Sequence, residues 1–343
     1  IKTSSTTPLV SQPGAQAQHM TMKEARGGRD KWTLPDLPAE VREIFSNIFV
    51  PLSRSLQAPL DPWAGISVHH IQLVAQRCVK GLFVHPKGAV VGLTTYRCND
   101  SRTNMARRAI EVVAETFEAE PFSGDIDMIK TYVEHATTHV EIAGPTKMKT
   151  APMFWRHWGK GGENRHGFMQ TDLIIATFSQ HLVETVHAIC PNPPMELCND
   201  APVGALLLAS QAVHRALLCY ATGEFVHPTK NFSATHWNDY YDLINGRSKL
   251  VKRATKYVPT LRKWPASTWA DIRARAEAYL AIGQDDNASR ASEADAQDDD
   301  SADEDILMES EGELEHDSDV VMGNDVGAGS EDYVDDHGAG ESD

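Results

Sequence analysis

The stretch PVGALLLASQAVHRALLCYATG, residues 202–223, decides the fold class. Within it Val203, Leu206, Leu207, Val213, Ala216, Leu217 and Tyr220 recur at three- and four-residue spacing, which gives a helix one apolar stripe along its length. Pro202 suits a helix start, where its missing N–H costs nothing, and Gly223 suits the position just past the end, where a left-handed residue closes the last turn. Ser210, Gln211, His214 and Arg215 break the run before it reaches the roughly 18 apolar residues of a membrane span. The spacing therefore predicts a central core helix and no membrane segment.

The same signals extend outward on both sides. Pro38 opens a periodic stretch through Val41, Ile44, Phe45, Ile48, Phe49 and Leu52, with Pro51 as a kink. Ser67, Asp125 and Thr171 each precede an apolar-periodic run and read as N-caps, and another run lies between Met105 and Phe117. Periodicity predicts further helices over residues 233–244, 250–258 and 267–281. The short run Ala89 to Leu93 is the one strand signal and is too isolated to build a sheet. The expectation is an all-α domain of about eight helices over residues 34–282, with a disordered arm at 1–33 and a disordered acidic tail at 283–343. Residues 144–170 are the longest irregular segment, and the cluster Trp155 to His166 makes that loop the first place to look for a surface site.

Charge is sharply divided. Residues 285–343 carry 23 carboxylates against the single cation Arg290, a net −22 that leaves +6 for residues 1–284 of a chain whose total is −16. Such a segment cannot bury enough apolar surface to offset its ordering entropy. Ile306-Leu307-Met308 and Val320-Val321-Met322 are apolar islands within it, resembling SUMO-interacting motifs, activation segments or histone-binding arms; a solubilising tail has the same composition. Ser292, Ser301 and Ser310 each have an acid three residues on, as sites for acid-directed kinases do. Five widely spread cysteines, with no signal segment in view, suit buried thiols in a reducing compartment. Beginning at Ile1 rather than methionine, the sequence reads as a truncated or processed product.

Pro62-Trp63, then Gly204-Ala205-Leu206, Ala212-Val213, Arg215-Ala216-Leu217 and Gly223, then Phe232, Trp237, Tyr257, Leu261, Trp269 and Ile272 form a pattern. Over residues 38–281 it resembles a family of fungal domains, the domain of unknown function numbered 6532. The resemblance implies a helical fold. It carries no assigned activity, so it hands over no catalytic or binding residue, and the acidic segment lies outside it.

Motifs for chemistry are weak. His135 and His139, four apart on a predicted helix, share a face, but Ala136 stands where a zincin needs glutamate. Cys190 and Cys198 have neither zinc-knuckle nor redox spacing, and Gly159-Lys160-Gly161-Gly162 lacks the pattern of a phosphate loop. Asp125 and Asp127 are explained by helix capping. No catalytic residue, cofactor or metal site is expected. Residues 247–263 hold seven cations, and on a helix Lys249, Lys252, Arg253 and Lys256 would share one face, a surface for nucleic acid or an acidic partner. The expectation is an intracellular, more nuclear than cytoplasmic, non-enzymatic interaction module. Its tail, through Ile306, Leu307, Met308, Val320 and Val321, binds basic proteins such as histones or shields the chain's own basic helix. The alternative is an enzyme with its pocket near Trp155 to His166.

Overall fold

Helices account for most of the structure because apolar residues at helical spacing dominate the sequence. The computed structural model describes residues 32–142, 148–191, 194–195, 200–244 and 247–291, with the backbone alone for 281–291. In chain order the helices are α1 (Ala39–Ile44), α2 (Val50–Gln57), α3 (Val68–Cys78), α4 (Ala89–Glu118), α5 (Ile126–Thr137), α6 (Asp172–Thr185), α7 (Val203–Leu218), α8 (Ala234–Trp237), α9 (Val258–Leu261) and α10 (Ala266–Ala291). Small antiparallel pairs join β1 (Val140–Ile142) to β2 (Met148–Thr150), β3 (Trp155–His157) to β4 (His166–Phe168), β5 (Cys190–Pro191) to β6 (Pro194–Met195), and β7 (Tyr240–Ile244) to β8 (Arg247–Val251). The fold is thus helix-rich, with short hairpins that an all-α reading leaves out.

The predicted caps are in place. Ser67 Oγ accepts from His70 N at 3.2 Å, Asp125 Oδ1 from Met128 N at 3.0 Å, and Thr171 Oγ1 from Ile174 N at 3.4 Å. Between α1 and α2 the chain widens into a π turn over Phe45–Phe49, where Pro51 was read as a kink: Val50 N donates to Phe45 O, and proline has no N–H to continue an ordinary ladder.

The core helix α7 is buried on nearly every side and packs against α4 and α6. Its first turn lies hard against the segment after α2. Ala205 N donates to Ala58 O at 3.1 Å, and a Cβ on Gly204 would stand 1.9 Å from Leu60 O, so only glycine allows this approach. Gly223, at φ +93°, is likewise pressed on Ile126 O. One apolar cluster surrounds α7, with Phe178, Ile174, Ile175 and Met105 fully enclosed; a second, built on Phe45, Phe49, Leu52 and Ile71, joins α1 to α3 and the start of α4. The two meet across α4.

One buried carboxylate ties several helices. Glu184 on α6 accepts from Ser101 Oγ, from Asn104 Nδ2 at 2.8 Å and from Gln180 Nε2 at 3.1 Å, and lies 3.6 Å from the Arg54 guanidinium. The carboxylate therefore pins α2, α4 and α6 together. Nearby, burial pushes the Cys98 thiol up to about 12, so it stays protonated. Cys98 and Cys219 are free thiols. No helix among the described residues is long and apolar enough to cross a membrane.

Several local expectations are corrected. Ala89 to Leu93 is the first turn of α4, whose buried stripe continues through Cys98 and Met105 across polar neighbours that hid the period. Residues 233–244 and 250–258 are not two helices. They form the short α8, the β7–β8 hairpin and a turn leading to α9. Tyr240, Tyr241, Ile244 and Val251 favour strands, and Asn245-Gly246 in the sequence between them is a strong hairpin signal that outweighs the helical spacing. Segment 144–170, read as irregular, contains β2, β3 and β4.

Candidate functional site

The polar interruptions of α7 are the key to the site. Ser210 and His214, and Gln211 and Arg215, are each four residues apart, so they fall on one face of an otherwise apolar helix. That face forms the floor of a cleft of about 1070 Å³, large enough for a drug-sized ligand. Opposite it stand the segment from Val226 to Trp237 and the turn from Val251 to Tyr257, while His139, just past α5, closes one side.

The local sequence explains the turn. Asp239 accepts from the backbone N–H groups of Arg253 and Ala254, both at 2.6 Å, from Thr255 N at 3.1 Å and from the Thr255 hydroxyl. Burial alone would raise this carboxyl, but the hydrogen bonds hold it below the usual carboxylate range. One side chain thus folds residues 253–255 around itself and prevents a helix from starting there. The Arg253 guanidinium then braces the His236 carbonyl and lies 4.9 Å from the Tyr240 ring centre, and Lys256 Nζ donates to Lys149 O at 2.8 Å while covering the Tyr257 ring.

A second network fixes α7 to the other wall. Trp63 Nε1 donates to Gln211 Oε1 at 2.8 Å, and Gln211 Nε2 donates to Trp237 O at 3.0 Å. Phe232 packs edge-on to Trp63 and against Trp237, and receives the Arg215 guanidinium on its face at 5.9 Å. The Arg215 Nε is buried without a hydrogen-bond partner, and burial holds its guanidinium below the ordinary arginine value.

The electrostatics of the lining are one-sided. Arg215, Lys230, Lys252, Arg253 and Lys256 contribute to it, with His139, His214, His227 and His236, and among the described residues no aspartate or glutamate does. Among the described residues Lys230 and Lys252 have no hydrogen bond or ion pair. Burial first, then the neighbouring His139 and Arg253, hold His214 down to about 4; burial and Lys256 lower His139. Both imidazoles are neutral at pH 7, so they add no positive charge to that of the lysines and arginines.

Of the residues expected on a basic helix face, Lys252, Arg253 and Lys256 line the cleft together, whereas Lys249 is exposed on β8 and does not. They meet through a turn held by Asp239, not through helical periodicity. The predicted pairing of His135 with His139 also dissolves: α5 ends at Thr137, and His139 stands instead 6.3 Å, ring to ring, from His214. Among the described residues no three His, Cys, Asp or Glu side chains converge as metal ligands. The segment Trp155 to His166 contributes nothing to the cleft. It forms a hairpin in which Trp155 packs on Phe168 and donates to Thr150 Oγ1 at 3.1 Å, with His157 stacked on His166 at the exposed end. Residues 1–31, Cys198, the islands Ile306, Leu307, Met308, Val320 and Val321, and Ser292, Ser301 and Ser310 lie outside the described residues.

Comparison with family models, with curated proteins and with solved structures finds no match for this chain.

Proposed function

We propose that this chain is a non-enzymatic binding module whose cationic cleft takes an acidic ligand, while its acidic carboxy-terminal segment engages basic proteins. The observation that carries the reading is the cleft lining among the described residues: five lysines and arginines, four histidines and no carboxylate. Low-dielectric walls concentrate that field on whatever enters. Catalysis is the weaker reading, because neither His139 nor His214 has a carboxylate partner to orient it as a proton acceptor and no activated nucleophile faces them. The net −22 of residues 285–343 supports the second half of the proposal, including an intracellular, nuclear setting in which histones supply the opposite charge. Shielding of the chain's own cations by that segment belongs to the same reading. Membership of the fungal domain family is proposed alongside, since Trp63, Gly204 and Trp237, part of the resembling pattern, have specific packing roles here.

The test is anion binding by the full chain. A fluorescent polyphosphate is expected to bind at low ionic strength and to dissociate as salt is added. Lys252→Glu should weaken it strongly and Lys249→Glu, outside the cleft, should weaken it little. Equal losses from the two substitutions would mean that diffuse surface charge, not the cleft, attracts the probe.

A further inference from the structure

The cleft has a second chemical feature besides its charge. Five aromatic rings run along it in an unbroken row: Tyr257 to Phe154 at 5.6 Å between centres, Phe154 to His139 at 6.4 Å, His139 to His214 at 6.3 Å and His214 to Trp237 at 5.8 Å. All five line the cleft. Phe154 and Tyr257 are buried beneath it, whereas Trp237 and His214 are half-buried and His139 is exposed. Cations stand along the row, Lys256 beside Tyr257 at one end and Arg253 near His214, and Lys252, immediately before Arg253 in sequence, has no hydrogen bond or ion pair among the described residues.

Resting on the acidic-ligand reading, we propose that the ligand is a nucleotide-like phosphate ester, its planar ring packed against the accessible part of this row, His139, His214 and Trp237, and its phosphate meeting Lys252, Arg253 and Lys256. An extended acidic peptide would use the cations and leave the rings without a partner. A bare inorganic anion would do the same and would fill little of the volume. A planar heterocycle joined to a phosphate satisfies both features. The polar atoms of Gln211 are already committed to Trp63 and Trp237, so α7 supplies the site's shape more than its hydrogen bonds. Lys230 and Thr229, on the opposite wall, remain as donors to the ribose or to further phosphates.

Recognition by stacking is tolerant of which base is present, because every base offers a π face, so the selectivity expected is for ring plus phosphate and not for one nucleobase. His214 makes no hydrogen bond among the described residues. Its neutral imidazole carries one N–H, which can donate to a phosphate oxygen.

Isothermal titration calorimetry on the full chain tests this with four probes: adenosine monophosphate, adenosine, inorganic pyrophosphate and a short polyglutamate peptide. Adenosine monophosphate should bind about tenfold or more tightly than adenosine or pyrophosphate, a difference of the size that stacking on aromatic side chains provides. Trp237→Leu should weaken the nucleotide about tenfold while leaving pyrophosphate nearly unchanged. His139→Ala, at the exposed end of the row, provides the same contrast should the tryptophan variant lose its thermal transition. Pyrophosphate or polyglutamate binding as tightly as the nucleotide would overturn the nucleotide proposal and leave the acidic-ligand reading standing. Failure of every anionic probe to bind would sink both.

Discussion

Replacing Gly204 by alanine probes how α7, which carries the cleft floor, is seated. The added methyl would lie 1.9 Å from Leu60 O and 3.0 Å from Ala58 O, both backbone atoms that cannot swing aside as a flexible side chain can. Helix and segment must separate by more than roughly 1 Å to restore ordinary van der Waals distances, and such overpacking costs about 1–3 kcal/mol. That separation also stretches the 3.1 Å bond from Ala205 N to Ala58 O, worth about 1 kcal/mol to a buried donor. Against these, alanine gains up to about 1 kcal/mol in helix propensity over glycine. The net expectation is a loss of about 2–3 kcal/mol. Equilibrium urea unfolding measures it, with Gly65→Ala as the control, because a Cβ there meets nothing within 4 Å. The control should change by less than about 0.5 kcal/mol. A Gly204→Ala protein as stable as the parent, or a control that loses as much, would refute the argument from close approach. Since His214 and Arg215 ride on the same helix, weaker polyphosphate binding should accompany the loss.

Other consequences follow from the buried polar groups. Glu184→Ala removes the carboxylate that pins α2, α4 and α6 and leaves the Arg54 charge unpaired in the interior, which should cost about 3 kcal/mol by the same unfolding assay; Glu184→Gln, retaining part of the hydrogen bonding, should cost less. Asp239→Ala should leave the α-helical circular dichroism intact but speed amide hydrogen exchange at residues 253–255 and weaken anion binding, because the turn that gathers Arg253 and Lys256 loses its acceptor. Acid should destabilise the fold through His181 and His214, each held down to about 4 chiefly by burial against an unfolded value near 6.5. The unfolded chain binds more protons between those values, so this stability is complete above about pH 6.5 and is lost as pH falls toward about 4. Up to about 3 kcal/mol is at stake for the enclosed His181 and less for the half-buried His214, and a His181→Gln chain should show a shallower decline of urea midpoint over that window. A parent and variant with parallel declines would exclude His181 as a contributor.

Helix positions were legible where one physical signal dominated. The caps at Ser67, Asp125 and Thr171 and the core identity of α7 follow from side-chain chemistry within a few residues. The stretch after Ser233 misled because cations and apolar residues at four-residue spacing suggest a helix, while the strand preference of Tyr240 and Tyr241 and the Asn245-Gly246 dipeptide argue against one. Strand preference and turn chemistry outweigh periodicity there. The cleft had a trace in the sequence as well: Ser210, Gln211, His214 and Arg215 were noticed as interruptions of a core helix, and their four-residue spacing marks a polar face pointing at something other than packed hydrocarbon.

By itself, the sequence determined a helix-rich body around residues 202–223 and the division of charge between that body and the acidic segment, because periodicity, capping and composition act locally or simply add. Only the tertiary structure decided where the cations converge. Asp239 captures three amides up to 16 residues away, Gln211 links Trp63 to Trp237, and His139 comes to His214 from beyond the end of α5. Each of these contacts depends on packing between distant segments, and no local pattern of residues encodes that distance.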